Sequence, residues 1–392
     1  MKVLQLHAGY RTPAGEDTVV EAEARALRRG GHEVEQAIEH NPATTVAALR
    51  ALARSRYNRV TAAHVSELCD TIRPDIAHVH NTWFAQSSSV IDAVVDAGLP
   101  TVMTIHNYRL SCLGVDLFRD NAICTSCVGR SPVAGIVHRC YRDSFALSAV
   151  MAVEVMSTRR RRTLERIDRF VAPSAFMADR LVDIGVPADR LTVKPHFTPD
   201  PGPRASSPST SNDVLFIGRL ASAKGIRTLL RAWERHASGA SREASARRLT
   251  IVGDGPLAAE AHESAPRGVE FAGWLSHAEV QRRMRGARAF VFPSEWYEPF
   301  GMVLIEAMAA GTPVVATTAS DAAQITGTPA RLVAPAGDER ALAACLDELD
   351  DATVDEAGRI ARRRFEEMYS EDIGLEALVD LYGSVIEGRR RP

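Results

Sequence analysis

The stretch PSEWYEPFGMVLIEAMAAGTPVV, residues 293–315, decides the fold. It follows the apolar run Ala289-Phe290-Val291-Phe292 and turns through Pro293, Pro299 and Gly301. A helical pattern then opens and leads into a second apolar run, Pro313-Val314-Val315-Ala316. Strand, turn, helix and strand in so short a span read as one unit of a parallel α/β sheet. Glu298 falls in the turn and Glu306 about two helical turns later, so one carboxylate stands at a strand end and the other lies along the helix. The amides of Gly301, Met302 and Val303 open that helix without intrahelical acceptors, which makes an anion site. On spacing alone, a capping acid with an ordinary surface glutamate explains the pair equally well.

The same alternation spreads outward. Val214–Ile217, Leu249–Val252 and Val269–Phe271 precede the block, and Arg331–Val333 follows it. In the other half, Val3–Leu6, His32–Ile38, Asp75–His80, Pro100–His106 and Arg169–Ser174 are short apolar runs separated by helical patterns, the first of which stops at Gly30-Gly31. Between the halves, residues 196–213 (HFTPDPGPRASSPSTSND) are rich in proline and serine and read as a linker. The sequence therefore predicts two α/β, Rossmann-like domains facing a central cleft, over 1–195 and 214–372. A last helix over 373–392 is expected to cross back to the first domain.

Ligands of such sheets bind beyond the carboxyl ends of the strands. One such loop, Gly218-Arg219-Leu220-Ala221-Ser222-Ala223-Lys224-Gly225, holds one arginine and one lysine. Only three of the 47 basic residues are lysines: Lys2, Lys194 and Lys224. Fixed cations aimed at a departing diphosphate stabilise its growing charge, although a solvated basic loop is the plainer reading. A second loop, Gly253-Asp254-Gly255-Pro256-Leu257-Ala258, matches the G-x-G-x-x-A of dinucleotide sites. It follows a later strand and contains a proline, which argues against a nicotinamide dehydrogenase. His106-Asn107 and His80-Asn81 each end a strand, and His106 is the stronger candidate for the site.

The 293–315 block resembles the donor-binding E-x7-E signature of retaining glycosyltransferases of family 4, which have the GT-B fold. The G-R-L…K-G string is similar to that family's phosphate loop, and GDGP is common in it. The resemblance implies that Glu298 contacts donor-sugar hydroxyls and Glu306 the nucleotide ribose. It also puts Arg219 and Lys224 on the phosphates, with the Phe300, Gly301, Met302 and Val303 backbone and Gly253 nearby. His106 is implied beside the donor sugar and acceptor. The family's Gly-Gly pair in the first loop is here Ala14-Gly15, which keeps Gly15 for a close approach to phosphate. The usual Gly-Gly and acid near 317–324 are missing, and the chain has no D-x-D motif, so the expected reaction needs no metal. The implied activity is transfer of a hexose from a nucleotide-sugar donor, UDP-sugar favoured, to an acceptor hydroxyl. A sugar-nucleotide epimerase, a phosphorylase and a catalytically silent nucleotide-sugar-binding protein are the alternatives.

Cys112, Cys124, Cys127 and Cys140 fall within an insertion over 107–142, with a C-x-x-C at its centre. Four thiolates suit structural zinc, and a redox pair or unconnected buried thiols also fit. The formal charge of −2 argues against a general nucleic-acid binder. No apolar run reaches the roughly 18 residues of a membrane span, and the first residues are too short an apolar stretch for a signal peptide, so a cytoplasmic protein is expected. Arg159–Arg162, beside the apolar stretch 146–156, reads either as a solvated helix face or as weak peripheral membrane contact. Nothing in the sequence sets the oligomeric state.

Overall fold

The computed structural model describes residues 1–10, 15–41, 54, 56–239 and 246–390. The chain divides into two compact units: Met1–Arg119, Cys124–His196 and Asp372–Pro392 form one; Asp120–Ile123 and Phe197–Glu371 form the other.

The first unit is built on β1 (Lys2–Gly9), β2 (Glu33–His40), β3 (Ile76–Val79) and β4 (Thr101–Thr104). The two-residue β5 (Phe118–Arg119) comes next, then β7 (Arg169–Ala172) and β8 (Leu191–Val193), while the two-residue β6 (Ala122–Ile123) is counted with the other unit. The main sheet runs β2-β1-β3-β4-β7-β8, parallel throughout. β3 and β4 are buried at every position, as strands covered on both faces must be. The helix Glu371–Arg390 belongs to this unit: Leu378, Leu381, Tyr382 and Val385 share a core with Val3, Leu27, Ile76, Val102 and Val171. The Tyr382 hydroxyl meets His78 Nδ1 at 2.7 Å.

The second unit holds β9 (Asp213–Ile217), β10 (Arg248–Val252), β11 (Val269–Gly273), β12 (Ala289–Phe292), β13 (Val314–Thr317) and β14 (Val333–Ala334). Their order is β11-β10-β9-β12-β13-β14, again parallel. The chain builds outward from β9 on one side, returns, and builds outward from β12 on the other. The strand order thus reverses between β9 and β12, where open α/β sheets leave a ligand crevice.

The proline- and serine-rich segment is not a free linker. His196 is buried in the first unit, while the residues from Phe197 onward are folded into the second. There Pro208 is buried and Arg204 donates to the carbonyls of Gly311 (3.1 Å) and Ala287 (2.9 Å). Asp355 accepts from the Ser209 amide at 3.0 Å. Composition suggested flexibility, but one arginine reaching two helix-end carbonyls fixes the segment.

Tyr382 carries the attachment of the last helix. Tyr382→Ala is expected to cost about 3–5 kcal/mol by leaving a core cavity, and Tyr382→Phe roughly 1–2 kcal/mol by leaving the His78 bond unmade. Urea unfolding of the two variants measures both; wild-type stability in Tyr382→Phe would show that the hydroxyl contributes nothing.

Candidate functional site

Three loops meet at the carboxyl ends of β9, β10 and β12. The loop after β9 is laced to the one after β10: the Leu220 amide donates to the Asp254 carbonyl at 3.0 Å and the Leu257 amide to the Leu220 carbonyl at 2.9 Å. The crossing is close enough to require glycine. A Cβ on Gly253, whose φ is +129°, would lie 2.0 Å from the Gly218 carbonyl oxygen, and one on Gly225 (φ +71°) 1.9 Å from the Pro293 oxygen. Gly225 therefore lets the β9 loop rest directly against the β12 loop.

That contact brings Lys224 to Glu298. Lys224 Nζ lies 2.5 Å from Glu298 Oε2, and the same oxygen accepts from Trp296 Nε1 at 2.8 Å and faces Ser294 Oγ at 3.4 Å. The ammonium also sits 5.1 Å from the centre of the Trp296 ring. Glu298 is only 7% exposed, so its charge rests on these donors. Arg219, by contrast, is exposed and makes no ion pair among the described residues. The two cations thus differ: one is held against a carboxylate, the other is free to meet an incoming anion.

Glu306 lies on the helix Met302–Ala309, which Gly301 begins. Its side chain is 12% exposed, and burial pushes its carboxyl above the ordinary range, opposed only by His277, whose Nδ1 is 3.9 Å from Oε1. A dry carboxyl at the mouth of a helix is a hydrogen-bond acceptor waiting for hydroxyl donors. The Phe300 ring is 3% exposed, belongs to the core and lies 6.1 Å from Tyr369, while Met302 and Val303 pack against the same core. Phe300 thus offers a ligand its backbone alone, while Met302 and Val303 are half-buried.

The structure thus gathers Arg219, Lys224, Gly253, Glu298, Glu306 and the 300–303 backbone in the second unit. Gly15 and His106 belong to the first. Gly15 is the exposed first residue of the helix Gly15–Arg29; the preceding Ala14 lies outside the described residues. Beside it, Glu16 accepts from Asn107 Nδ2 at 2.6 Å.

His106 follows β4 and lines a cavity of about 60 Å³, together with His80, Trp83, Arg109 and Glu154. Its ring is stacked between those of His80 and His196, with centroids 5.3 and 5.2 Å away. Burial lowers its pKa, so the imidazole is neutral near pH 7. His78 does not line the cavity: Tyr382 and Thr104 (2.8 Å) take both its ring nitrogens.

Cys112, Cys124, Cys127 and Cys140 line one cavity of about 110 Å³. The zinc expectation asks for more than that. Zinc–sulfur bonds of about 2.3 Å imply sulfurs roughly 3.8 Å apart. Among the described residues, however, only Glu23, His78 and His80 bring three ligand atoms within 4.8 Å of one another. The four thiols share a cavity without standing at that spacing. In the arginine run, Arg159, Arg160 and Arg162 are exposed, and three of the four side chains have partners. Arg159 donates to the Arg130 carbonyl at 2.7 Å, Arg161 pairs with Asp92 at 3.2 Å, and Arg162 pairs with Glu165. Among the described residues, no helix is long and apolar enough to cross a membrane.

Sequence reasoning missed Trp296 and Ser294, which hold Glu298, and His277 beside Glu306. It also missed Glu154 and Arg109 in the cavity. Trp296 was findable, being an aromatic donor two residues from Glu298 in the decisive block. Ser294, four residues from Glu298, and Arg109, three from His106, were also near in sequence, whereas His277 and Glu154 stand far from Glu306 and His106 and left no local signal.

Two family descriptions match the chain: "Glycosyl transferases group 1" over residues 211–351 and "Glycosyl transferase 4-like domain" over residues 14–196. The chain is 32% identical over 191 residues to the O-antigen chain mannosyltransferase C of Escherichia coli, a match covering 45% of this chain and 48% of the relative. It thus spans about half the length of that relative. It is 28% identical over 334 residues to the glycogen synthase of Mycobacterium tuberculosis, covering 82% of this chain and 71% of that one. Among solved structures, Anabaena HepE in complex with UDP superposes with a TM-score of 0.67 at 16% identity, covering 98% of this chain and 100% of that chain.

Burial pushes the Glu154 carboxyl up from 4.5 to about 7, against Thr158 (3.2 Å from it), Arg109 and Arg161. An acid with a raised folded pKa stabilises the fold below its unfolded pKa and loses that contribution as pH rises through the folded value. Glu154→Gln is therefore expected to raise Tm at pH 8, with the gain shrinking toward pH 5. A gain independent of pH would show that Glu154 is not titrating in this range.

Proposed function

Because the chain belongs to the group 1 glycosyltransferases and has the GT-B fold, we propose that it is a retaining hexosyltransferase. Its donor is a nucleotide-diphosphate sugar, UDP-linked by preference, and its acceptor is a hydroxyl. The observation that carries this reading is the pairing of Lys224 with Glu298, from the loops after β9 and β12, at the point where the strand order reverses, with Arg219 exposed on the first of those loops. The structure of HepE in complex with UDP supports the choice of base, and the resemblance of the Glu298–Glu306 block to the E-x7-E signature supports retention.

In this proposal the diphosphate meets Arg219 first, through a planar fork suited to two phosphate oxygens. It then competes with Glu298 for Lys224. As the ammonium turns to phosphate, Glu298 keeps Trp296 and gains the sugar hydroxyls as donors, so one swap both neutralises the leaving group and seats the sugar. Glu306 accepts from the ribose diol, which compensates the desolvation it already bears. As the glycosidic bond breaks, negative charge grows on the phosphate, and the two fixed cations favour that state over the ground state. The leaving phosphate takes the acceptor's proton, so no side-chain nucleophile is needed. The acceptor falls to the first unit, where His106 lines its cavity.

For the cysteine cavity we propose a structural zinc ion that draws the four thiols inward and deprotonates them. Elemental analysis of purified protein should then find close to one zinc per chain, with Cys124→Ser lowering both zinc content and Tm. Freely titrating thiols in zinc-free protein would remove the idea.

The donor site is tested by thermal shift with UDP and by transfer assays across UDP-, GDP- and dTDP-sugars. UDP at about a hundred times Kd should stabilise the wild type by about 2.7 kcal/mol. Arg219→Ala and Lys224→Ala should each remove most of that shift. Glu298→Gln should abolish turnover while leaving the UDP shift largely intact. Near-normal turnover in Lys224→Ala or Glu298→Gln would sink the assignment.

A further inference from the structure

Behind the His106 cavity the first unit holds a chain of charged and polar side chains that the proposed reaction does not use. Lys194, just after β8, places Nζ 3.0 Å from Glu23 Oε1. The other carboxylate oxygen, Oε2, faces His80 Nε2 at 3.6 Å. His80 Nδ1 in turn meets His106 Nε2 at 3.0 Å. Glu23, His80 and Lys194 are at most 4% exposed; Glu23 Oε2 also lies 3.5 Å from His78 Nδ1, and among the described residues neither Glu23 Oε2 nor His80 Nε2 has a hydrogen-bond partner.

The Glu23-His78-His80 group has the composition of a metal site, but its bonds already have other uses. The ammonium of Lys194 sits on the carboxylate, and both His78 nitrogens are bonded to Tyr382 and Thr104. What remains is a polar array in which the Glu23 carboxylate faces His80 across 3.6 Å and His80 is hydrogen-bonded to His106.

We propose that Glu23 is a positioning residue: acting through His80, it fixes the ring proton of His106 on Nε2 and leaves Nδ1 as a lone-pair acceptor for a substrate hydroxyl. The argument is one of charge states. Burial pushes the Glu23 carboxyl up, but Lys194, with His78 behind it, more than offsets this and holds it below its ordinary value, so it is ionised and accepts only. Burial keeps His80 neutral, with a single ring proton. If that proton sat on Nδ1, a bare Nε2 lone pair would face a carboxylate oxygen in a dry interior, a repulsion strengthened by the low dielectric. The proton therefore sits on Nε2, toward Glu23, and Nδ1 is an acceptor. The atom it accepts from is His106 Nε2, which must carry the His106 proton.

His106 Nδ1 has no hydrogen-bond partner among the described residues, on a ring that lines the cavity and is stacked against two others. Such a nitrogen can only accept, so it selects a hydroxyl that donates. That use rests on the glycosyl-transfer reading, whereas the tautomer does not.

Glu23→Gln makes the test specific. The amide oxygen must turn to the Lys194 ammonium, which presents its NH2 to His80 Nε2 as a donor. The array then reverses: His80 carries its proton on Nδ1, and His106 moves its own to Nδ1. Long-range 1H–15N correlation spectra of histidine-labelled full-length protein, with His106 assigned by comparison with His106→Gln, report the tautomer directly. The expected result is protonated Nε2 in the wild type and protonated Nδ1 in Glu23→Gln. With an active donor and acceptor pair, kcat should fall at least tenfold while KM for the donor is unchanged. A wild-type spectrum with the proton on Nδ1 overturns the proposal by itself, whatever the stability of the variant. An unchanged tautomer in a folded Glu23→Gln protein does the same. The UDP thermal shift should survive Glu23→Gln; its absence in the wild type would count against the donor reading and leave the tautomer result standing.

Discussion

The second unit depends on one constraint: strands laid parallel in the order β11-β10-β9-β12-β13-β14 must leave the sheet from β9 and β12 in opposite directions. The loops at those two carboxyl ends cannot cover each other, so a crevice opens there whatever the side chains are. The side chains decide what it can hold. Gly225 lets the β9 loop touch Pro293, and Gly253 lets β10 pass under Gly218. Those two approaches set Lys224 and Glu298 within bonding distance although 74 residues separate them. A cation and a carboxylate held by backbone contacts are preorganised, which is what electrostatic catalysis needs.

The same pairing of lysine with carboxylate occurs in each unit, and the surroundings give it opposite meanings. Lys194 and Glu23 are 4% and 1% exposed at their side chains, and neither can leave without stranding a charge, a loss of about 3–5 kcal/mol for a buried pair. Lys224 is 28% exposed beside a 9% exposed Glu298. Water reaches the ammonium, so an anion can replace the carboxylate at small cost. The buried pair is a fixture that sets proton positions, and the half-open pair is an exchange site.

Much of this was readable from sequence, for a physical reason in each case. The 293–315 block packs its strand, turn and helix signals into neighbouring residues, so it gave both the fold class and Glu298 and Glu306. Lys224 stood out because lysine is rare in this chain. The same rarity applied to Lys194, yet its partner Glu23 lies 171 residues away and no local pattern marks it. His78 and His80 end the same strand two residues apart and looked alike, but side chains at i and i+2 share a face while their partners differ. One is held by a C-terminal tyrosine, the other passes a hydrogen bond to His106. The packing of the 196–213 segment was not legible for the converse reason: composition reports what a segment prefers alone, and Arg204 reaching the Gly311 and Ala287 carbonyls adds a contact that composition does not show.

Arginine supplies nearly all the positive charge of this chain, so the surviving lysines need a reason beyond charge. An ammonium is a compact point charge with three donors, whereas a guanidinium is a plane that needs room and several acceptors. Beside Glu23 there is room for one small cation, which also donates to the Pro195 carbonyl at 3.3 Å, and an arginine fork there would bury donors without partners. Beside Glu298 the ammonium lies over Trp296, where it can swing from carboxylate to phosphate about a flexible stem. Arg219, on the exposed side of the same loop, has the space a fork requires. The division between the two residue types thus follows the burial and the geometry at each anion.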